Sequence, residues 1–162
     1  MRHSLLLSCV AALAAMAAAA PARAFCYYGG RMNAKTMIAE EYRDARWAVR
    51  ATILSADEHW RKDAGGSEGG DESWVVYRLR ITARFKGPPA RELRLFSFHD
   101  SSGFYPDIGG DYLLFLDPPS QILPRGVRHV VQVNYACGQS RPWREVRLTD
   151  RHWLAARARR AR

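Results

Sequence analysis

Histidines are the side chains of this chain whose types could most readily support metal or acid–base chemistry. Those that lie outside the first 24 residues are His59, His99, His129 and His152. No two of them have a metal-ligand spacing such as His-x-x-x-His. The stretch His99–Ser101 contains triad residue types, but triad partners usually come from distant parts of a sequence. We therefore expect no catalytic residue, no metal ligand and no cofactor, and we interpret His129 as a core histidine.

The first 24 residues are typical of a secretory signal peptide. A short basic start precedes an apolar run from Leu5 to Ala20, and Ala22-Arg23-Ala24 provides a small-residue cleavage site. The alternative is a membrane anchor, although about 16 apolar residues are short for a span of roughly 20. We expect cleavage after residue 24, no transmembrane span in the mature chain, and a periplasmic or secreted protein.

Cleavage would remove Cys9 and leave Cys26 and Cys137 in the mature chain. An even pair in an oxidising compartment predicts one disulfide, with two unrelated buried thiols as the alternative. The bridge would close a loop of about 110 residues, for which the chain-entropy model gives roughly 4–5 kcal/mol. We expect it to fasten the start of the mature chain to the domain.

Positive charge is concentrated towards the end of the sequence. The chain has 25 Lys and Arg against 16 Asp and Glu, which gives a formal net charge of +9. Residues 141–162 contain eight arginines against Glu145 and Asp150. We interpret residues 150–162 as a solvated basic tail whose removal leaves folding intact. Such a tail can bind an anionic surface, whereas export argues against nucleic acid as a partner.

Hydrophobic periodicity predicts a short helix followed by five strands. Apolar residues recur at helical spacing over residues 34–45, behind an Asn33 cap, and Glu41 would face water. Strand patterns then cover Trp47–Ile53, Val75–Lys86, Arg91–Phe98, Tyr112–Leu116 and Val127–Tyr135. The fourth pattern is continuously apolar, which indicates a strand buried on both faces. We interpret residues 57–71, which are rich in glycine, as a mobile loop.

Five strands at this spacing favour a mainly β domain, which we place at residues 25–149. The most economical arrangement is a five-stranded Greek-key barrel of the OB type, with a short helix at its amino-terminal end and the basic tail after it. An open meander packed on the helix is the alternative, because periodicity alone does not separate the two.

The order of these features resembles the netrin-like domain of tissue inhibitors of metalloproteinases, in its exported bacterial branch. The resemblance covers roughly residues 25–143. It rests on a cysteine at the mature start, a short helix, a long strand ending Phe85-Lys86-Gly87, the stretch Asp107–Phe115 and a last strand that closes at Cys137. It implies a five-stranded OB barrel with flanking helices, and Cys26 and Cys137 match one of the family's disulfides.

The sequence departs from that family at the amino terminus. Family inhibitors begin Cys-x-Cys, and the first of these cysteines chelates the zinc ion of the target protease. Here Ala24, two residues before Cys26, is expected to leave with the signal, and Ser101-Ser102-Gly103 stands where the partner of that cysteine would be. We therefore expect no metalloprotease inhibition through the amino terminus.

Two groups of residues are candidate interaction sites. They are Arg78, Arg80, Arg84 and Lys86 along one face of the second strand, and Phe25, Tyr27 and Tyr28 beside Cys26. The alternatives are a solvated strand face and aromatic side chains packed onto the barrel. We predict a non-enzymatic, exported module that binds an envelope or extracellular protein. The alternatives are a metalloprotease inhibitor and a polyanion-binding protein that uses the arginine face and the tail.

Overall fold

An antiparallel β-sheet with two α-helices makes up most of the described chain, which confirms the predicted mainly β class. The structure, a computed structural model, describes residues 27–28, 31–32, 36–62, 72–100, 103–135 and 138–160. The elements are β1 (Tyr27–Tyr28), β2 (Arg31–Met32), α1 (Ile38–Asp44), β3 (Trp47–Arg61), β4 (Glu72–Lys86), β5 (Glu92–Phe98), β6 (Asp111–Asp117), β7 (Gln132–Val133), β8 (Arg141–Pro142), a 3-10 helix (Trp143–Glu145) and α2 (Leu148–Arg160).

The main sheet has the strand order β5-β4-β3-β6-β7, and β8 also pairs with β6. The sheet is not closed into a barrel. Between its two outer strands lies one isolated parallel bridge, from Leu95 to Val131. There the Phe96 amide donates to the carbonyl oxygen of Val131, and the Val131 amide donates to that of Arg94, both at 2.8 Å. The outer strands therefore approach each other without forming a continuous ladder.

β4 and β6 have the burial that their sequences predict. Val75, Tyr77 and Leu79 alternate along β4 and are buried in a first core cluster, which they share with β3 and β6. β6 is buried on both faces, since Leu114 packs in the first cluster and Phe115 in a second. Its continuous apolar run is explained by this position between two layers.

The apolar residues of β4 alternate along the whole strand, which predicts that they face a single core. Near the end of the strand the structure packs them in a second cluster instead. Ala83 and Phe85 pack in the second cluster rather than the first. The pairing of β3 with β4 shifts register beside this segment, between Arg50 and Ala51 and again before Val49. A bulge inserts one extra residue and shifts the side-chain alternation by one position, which places Ala83 on the opposite face of the sheet from Ile81.

α1 and α2 cover the second cluster on the sheet. Ile38 of α1 and Leu154 of α2 are buried there, and Leu154 is 0% exposed. Residues 150–160, which we expected to lie in a solvated tail, thus belong to a helix that packs on the sheet. Its apolar stripe is narrow and lies among arginines, which concealed it in the sequence. No helix in the described part of the chain is long and apolar enough to span a membrane.

Two predicted boundaries differ in the structure. The first helix begins at Ile38 rather than at residue 34, and the Met37 amide donates to the Glu40 carboxylate at 2.9 Å; the expected Asn33 cap lies outside the described residues. β3 continues to Arg61, through the first part of the predicted loop, because it pairs with β4 as a long hairpin.

The predicted fifth strand is reduced to Gln132–Val133 and the bridge at Val131. His129 has a φ of 52°, which interrupts the extended backbone, and its side chain is exposed. The interpretation of His129 as a core histidine is therefore wrong.

Candidate functional site

Two of the four predicted cations on β4 support the fold. Lys86 Nζ donates to the carbonyl oxygens of Tyr42 and Arg43 at 2.7 and 2.8 Å, where α1 ends. A cation at a helix C-terminus offsets the partial negative charge of the free carbonyl groups. Arg84 donates to the carbonyl oxygen of Gly87 at 2.8 Å. Both donors are committed to backbone carbonyls, so they are not free members of a binding face.

Arg78 and Arg80 are the free part of the predicted row. Both side chains are exposed, and neither guanidinium group forms a hydrogen bond or an ion pair with another described residue. In the register of the sheet, Arg94 of β5 lies opposite Arg78, and Glu92 lies opposite Arg80. Trp74, which strand alternation places on the same face as Arg78, is only 7% exposed and packs in a third cluster. The face is therefore basic but has no free aromatic platform at Trp74.

Of the predicted aromatic group near the mature start, the structure describes the backbone of Tyr27 and Tyr28 but not Phe25. Tyr27 and Tyr28 form β1, which pairs with β2 in a separate two-stranded sheet. Phe25, Cys26 and Cys137 lie outside the described residues, so the disulfide stays a prediction.

Arg50 of β3 and Arg151 of α2 hold Trp143, and with it the carboxyl-terminal region, against the sheet. The guanidinium carbons of Arg50 and Arg151 lie 4.7 and 4.9 Å from the ring centroid of Trp143. Arg50 also pairs with Asp111, and Arg151 donates to the Trp143 carbonyl oxygen at 2.6 Å. A cavity of about 500 Å³ lies beside this stack and is lined by both Asp107 and Asp111. Because Arg50 pairs with Asp111 and Arg151 donates to the backbone carbonyl groups of Val146 and Trp143, we interpret this region as structural.

Exposed aromatic side chains lie across the end of the sheet where the β3–β4 hairpin projects. Trp60 of β3 lies opposite Ser73 of β4, and the His99 amide donates to the Ser73 carbonyl oxygen at 3.0 Å. Residues that are directly opposite in antiparallel strands project from the same face. The ring of Tyr105 lies 5.7 Å from that of His99. We call Trp60, His99 and Tyr105 the aromatic row.

The aromatic row is exposed, and Tyr105 within it is held in place by a hydrogen bond. Trp60 and Tyr105 are 64% and 51% exposed. The Tyr105 hydroxyl lies 2.9 Å from the carbonyl oxygen of Phe98 and 2.7 Å from that of Asp100, and it donates to one of them. Burial and then the Asp100 carboxylate raise the pKa of Tyr105 above 10.0, so the hydroxyl keeps its proton at neutral pH. A fixed, exposed ring is suited to contact another molecule without much loss of side-chain entropy.

A buried carboxyl group joins α1 to the segment that follows Cys137. Glu41 is 0% exposed, contrary to its predicted position facing water. Its Oε1 accepts from the Thr36 hydroxyl and, at 2.6 Å, from the Gln139 amide, while Oε2 has no partner among the described residues. A side chain at Gly138 would collide with this carboxyl group. Glu41 therefore fixes the chain next to one of the two predicted disulfide cysteines.

Glu41→Gln is expected to remove one component of the pH dependence of stability. Burial raises the pKa of Glu41 above its ordinary value of 4.5, against the opposing effect of the Thr36 and Gln139 hydrogen bonds. The protonated form is thus favoured in the folded state. Its contribution to stability is full below pH 4.5 and is lost as the pH rises through the raised pKa. Glutamine stays neutral, so the stability of the variant relative to wild type should rise as the pH increases above 4.5.

Urea unfolding across this pH range is the measurement. Glu41→Ala is the comparison variant: it leaves two buried donors without acceptors and should lose stability throughout, at about 1–3 kcal/mol per donor. Wild-type and Glu41→Gln curves that run parallel from low to high pH would contradict the assignment.

The described residues contain no group of three or more His, Cys, Asp or Glu that could hold a metal ion. No family model matches the chain, and no curated protein is similar to it in sequence. The aromatic row and the exposed strand face that carries Arg78 and Arg80 are the two described surfaces from which we infer a function.

Proposed function

We propose that the sheet belongs to an OB-type Greek-key barrel of the netrin-like kind. In chain order β3 to β7 are five strands, and in space they run third, second, first, fourth, fifth. The parallel bridge between Leu95 and Val131 brings the third strand next to the segment of the fifth. An OB-fold is a five-stranded, partly open Greek-key barrel, and this order supports it. The order of cysteines, helix and strands supports the netrin-like resemblance.

We infer that the protein is an exported, non-enzymatic module that binds another protein in the cell envelope or outside the cell. The observation that carries this proposal is the aromatic row at the projecting end of the sheet. Interface hot spots are enriched in tryptophan and tyrosine that a partner buries. The signal sequence and the expected Cys26–Cys137 bridge support an oxidising, extracytoplasmic location.

Trp60→Ala is expected to abolish capture of the partner by the full chain. The measurement is chemical cross-linking with an envelope extract, followed by mass spectrometry of the captured proteins. Truncation of a hot-spot residue costs about 2 kcal/mol or more, which is about thirtyfold in affinity. Ile122→Ala is the matched control, because Ile122 is apolar and 95% exposed but belongs to the connection between β6 and β7. Equal capture by both variants would contradict the proposal, as would catalytic turnover by the purified protein.

A polyanion-binding function is the second candidate, and the free guanidinium groups of Arg78 and Arg80 beside Arg94 favour it. Such binding weakens steeply as salt is added. Retention on heparin that disappears in an Arg78→Ser, Arg80→Ser variant would support this candidate. The Trp60→Ala variant should bind heparin as wild type does, so the two candidates separate. Stoichiometric inhibition in a panel of metalloproteases would instead support the inhibitor alternative.

A further inference from the structure

One edge of β3 is open beyond the middle of the strand. β6 pairs with this edge only as far as Thr52, and the Ile53 amide, which donates to Gly110 at 2.9 Å, extends the contact by one residue. On its other edge β3 pairs with β4 as far as Arg61. No described strand pairs with the first edge over Ser55–Arg61, which we call the open edge.

Alternate residues direct their backbone groups out of the open edge. The Ser73 carbonyl oxygen accepts from His99 and so points away from β3. Trp60 and Ser73 therefore form a non-hydrogen-bonded pair of the antiparallel ladder. The backbone amide and carbonyl group of Trp60 point away from β4, out of the open edge. By alternation Ala56 and Glu58 have the same orientation as Trp60. The open edge therefore presents three amides and three carbonyl groups at a spacing that suits an added strand.

The side chains along the open edge are acidic at its centre and aromatic at its far end. Asp57 and Glu58 are exposed and form no ion pair with other described residues. Asp107, also exposed, precedes the Gly110 segment with which β3 last pairs. This acidic stretch contrasts with the formal net charge of +9 of the whole chain. Trp60 adds an exposed apolar surface.

We propose that an extended segment of a partner protein adds to the open edge of β3 as a further antiparallel strand. Strand addition obtains affinity from main-chain hydrogen bonds and specificity from alternate side chains. Glu58 and Trp60 share one face of β3 and Asp57 lies on the other, so the segment carries basic residues beside Asp57 and Glu58 and an apolar residue beside Trp60. The proposal rests on the protein-binding function above and specifies how that partner is recognised.

Charge argues against a second copy of this chain as the occupant. A symmetric antiparallel pair that uses all three outward residues, Ala56, Glu58 and Trp60, places Glu58 opposite its own copy. Like charges that are directly opposite in a sheet are destabilising. A basic partner segment instead neutralises the acidic centre of the edge.

Synthetic peptides of about eight residues, a common strand length, provide the test with the full wild-type chain. The first peptide alternates lysine and valine, the second alternates glutamate and valine, and the third is the lysine peptide N-methylated at every second amide. Fluorescence anisotropy should show binding of the first peptide, with the other two weaker by at least about tenfold. Equal binding of the N-methylated peptide would overturn the proposal, because it would exclude a main-chain ladder.

Two variants at one position separate backbone from charge. Glu58→Gln keeps the outward amide, whereas Glu58→Pro removes it at an edge position where proline is compatible with a sheet. Glu58→Pro should reduce the affinity for the lysine peptide at least about tenfold more than Glu58→Gln does. Similar binding by the two would overturn the proposal. Circular dichroism checks that Glu58→Pro is folded; if it is not, the N-methylated peptide decides the result on the wild-type protein.

The outcomes distinguish this inference from the proposed function. Loss of partner capture in Trp60→Ala without any binding of the lysine peptide would leave the protein-binding function standing and reject strand addition. Self-association of the wild-type chain in analytical ultracentrifugation that Glu58→Pro abolishes would make a second copy the occupant and overturn the choice of a partner segment.

Discussion

Leu154→Ala is expected to lower the free energy of unfolding by about 2–5 kcal/mol, the range for a leucine removed from a well-packed core. Leu154 is fully buried where α2 meets the sheet, in the same cluster as Ile38 and Phe115. Leu148→Ala is the matched control, since Leu148 lies in the same helix but is 67% exposed. Its effect should stay within about 0.5 kcal/mol. Denaturant unfolding followed by circular dichroism measures both.

The same comparison tests whether the carboxyl-terminal region is part of the domain. Equal, small effects of the two substitutions would mean that α2 does not close the second cluster and that residues 150–162 are a solvated tail after all. Truncation after residue 147 provides an independent check, and we expect it to abolish cooperative unfolding because it uncovers the second cluster.

Cys137→Ala is expected to lower the melting temperature of the exported protein by more than about 10 °C. The predicted bridge to Cys26 closes a loop of about 110 residues, which is associated with roughly 4–5 kcal/mol. At several degrees per kcal/mol for a domain of this size, the loss exceeds that of most single substitutions. Differential scanning calorimetry measures it, and mass spectrometry of an unreduced digest identifies the linked peptide.

Cys9 provides the control for the disulfide. It lies within the predicted signal peptide, so Cys9→Ala should leave the melting temperature of the mature protein unchanged. Free thiols at both Cys26 and Cys137 in protein taken from its native compartment would refute the bridge.

Elements whose environment is local were predictable from the sequence. The alternation of Val75, Tyr77 and Leu79 predicts one buried face of β4, and the structure buries all three there. It also buries Trp74 and Val76 on the other face. The continuous apolar run of β6 specifies a strand between two layers, and the structure places it there. In both cases the buried positions follow from the pattern of apolar residues along the strand itself.

Glu41 and Leu154 were misjudged because their environments are created by distant segments. Glu41 has a charged side chain on the predicted outer side of a helix, and only the return of the chain at Gln139 encloses it. Leu154 is the buried residue of a helix otherwise rich in arginine. Local periodicity contains no information about which exposed face a later segment will cover.

The aromatic row was not predictable because strand pairing assembles it. Trp60, His99 and Tyr105 come from two separate parts of the sequence, and Ser73 of a third strand brings Trp60 and His99 together. The glycine-rich stretch that starts a few residues after Trp60 also made its strand look like a loop. The carbonyl groups that occupy Arg84 and Lys86 become their neighbours only on folding.

The composition of the two main core clusters also implies an order of folding. Ile53 and Leu79 of the first cluster face each other within the β3–β4 hairpin, whereas Ile38 and Leu154 of the second lie roughly 116 positions apart in the sequence. Closing the longer loop costs more chain entropy, and contacts between distant segments slow folding. We therefore expect the hairpin to form first and α2 to dock late, so that substitutions at Leu154 should mainly accelerate unfolding while those at Ile53 should mainly slow folding.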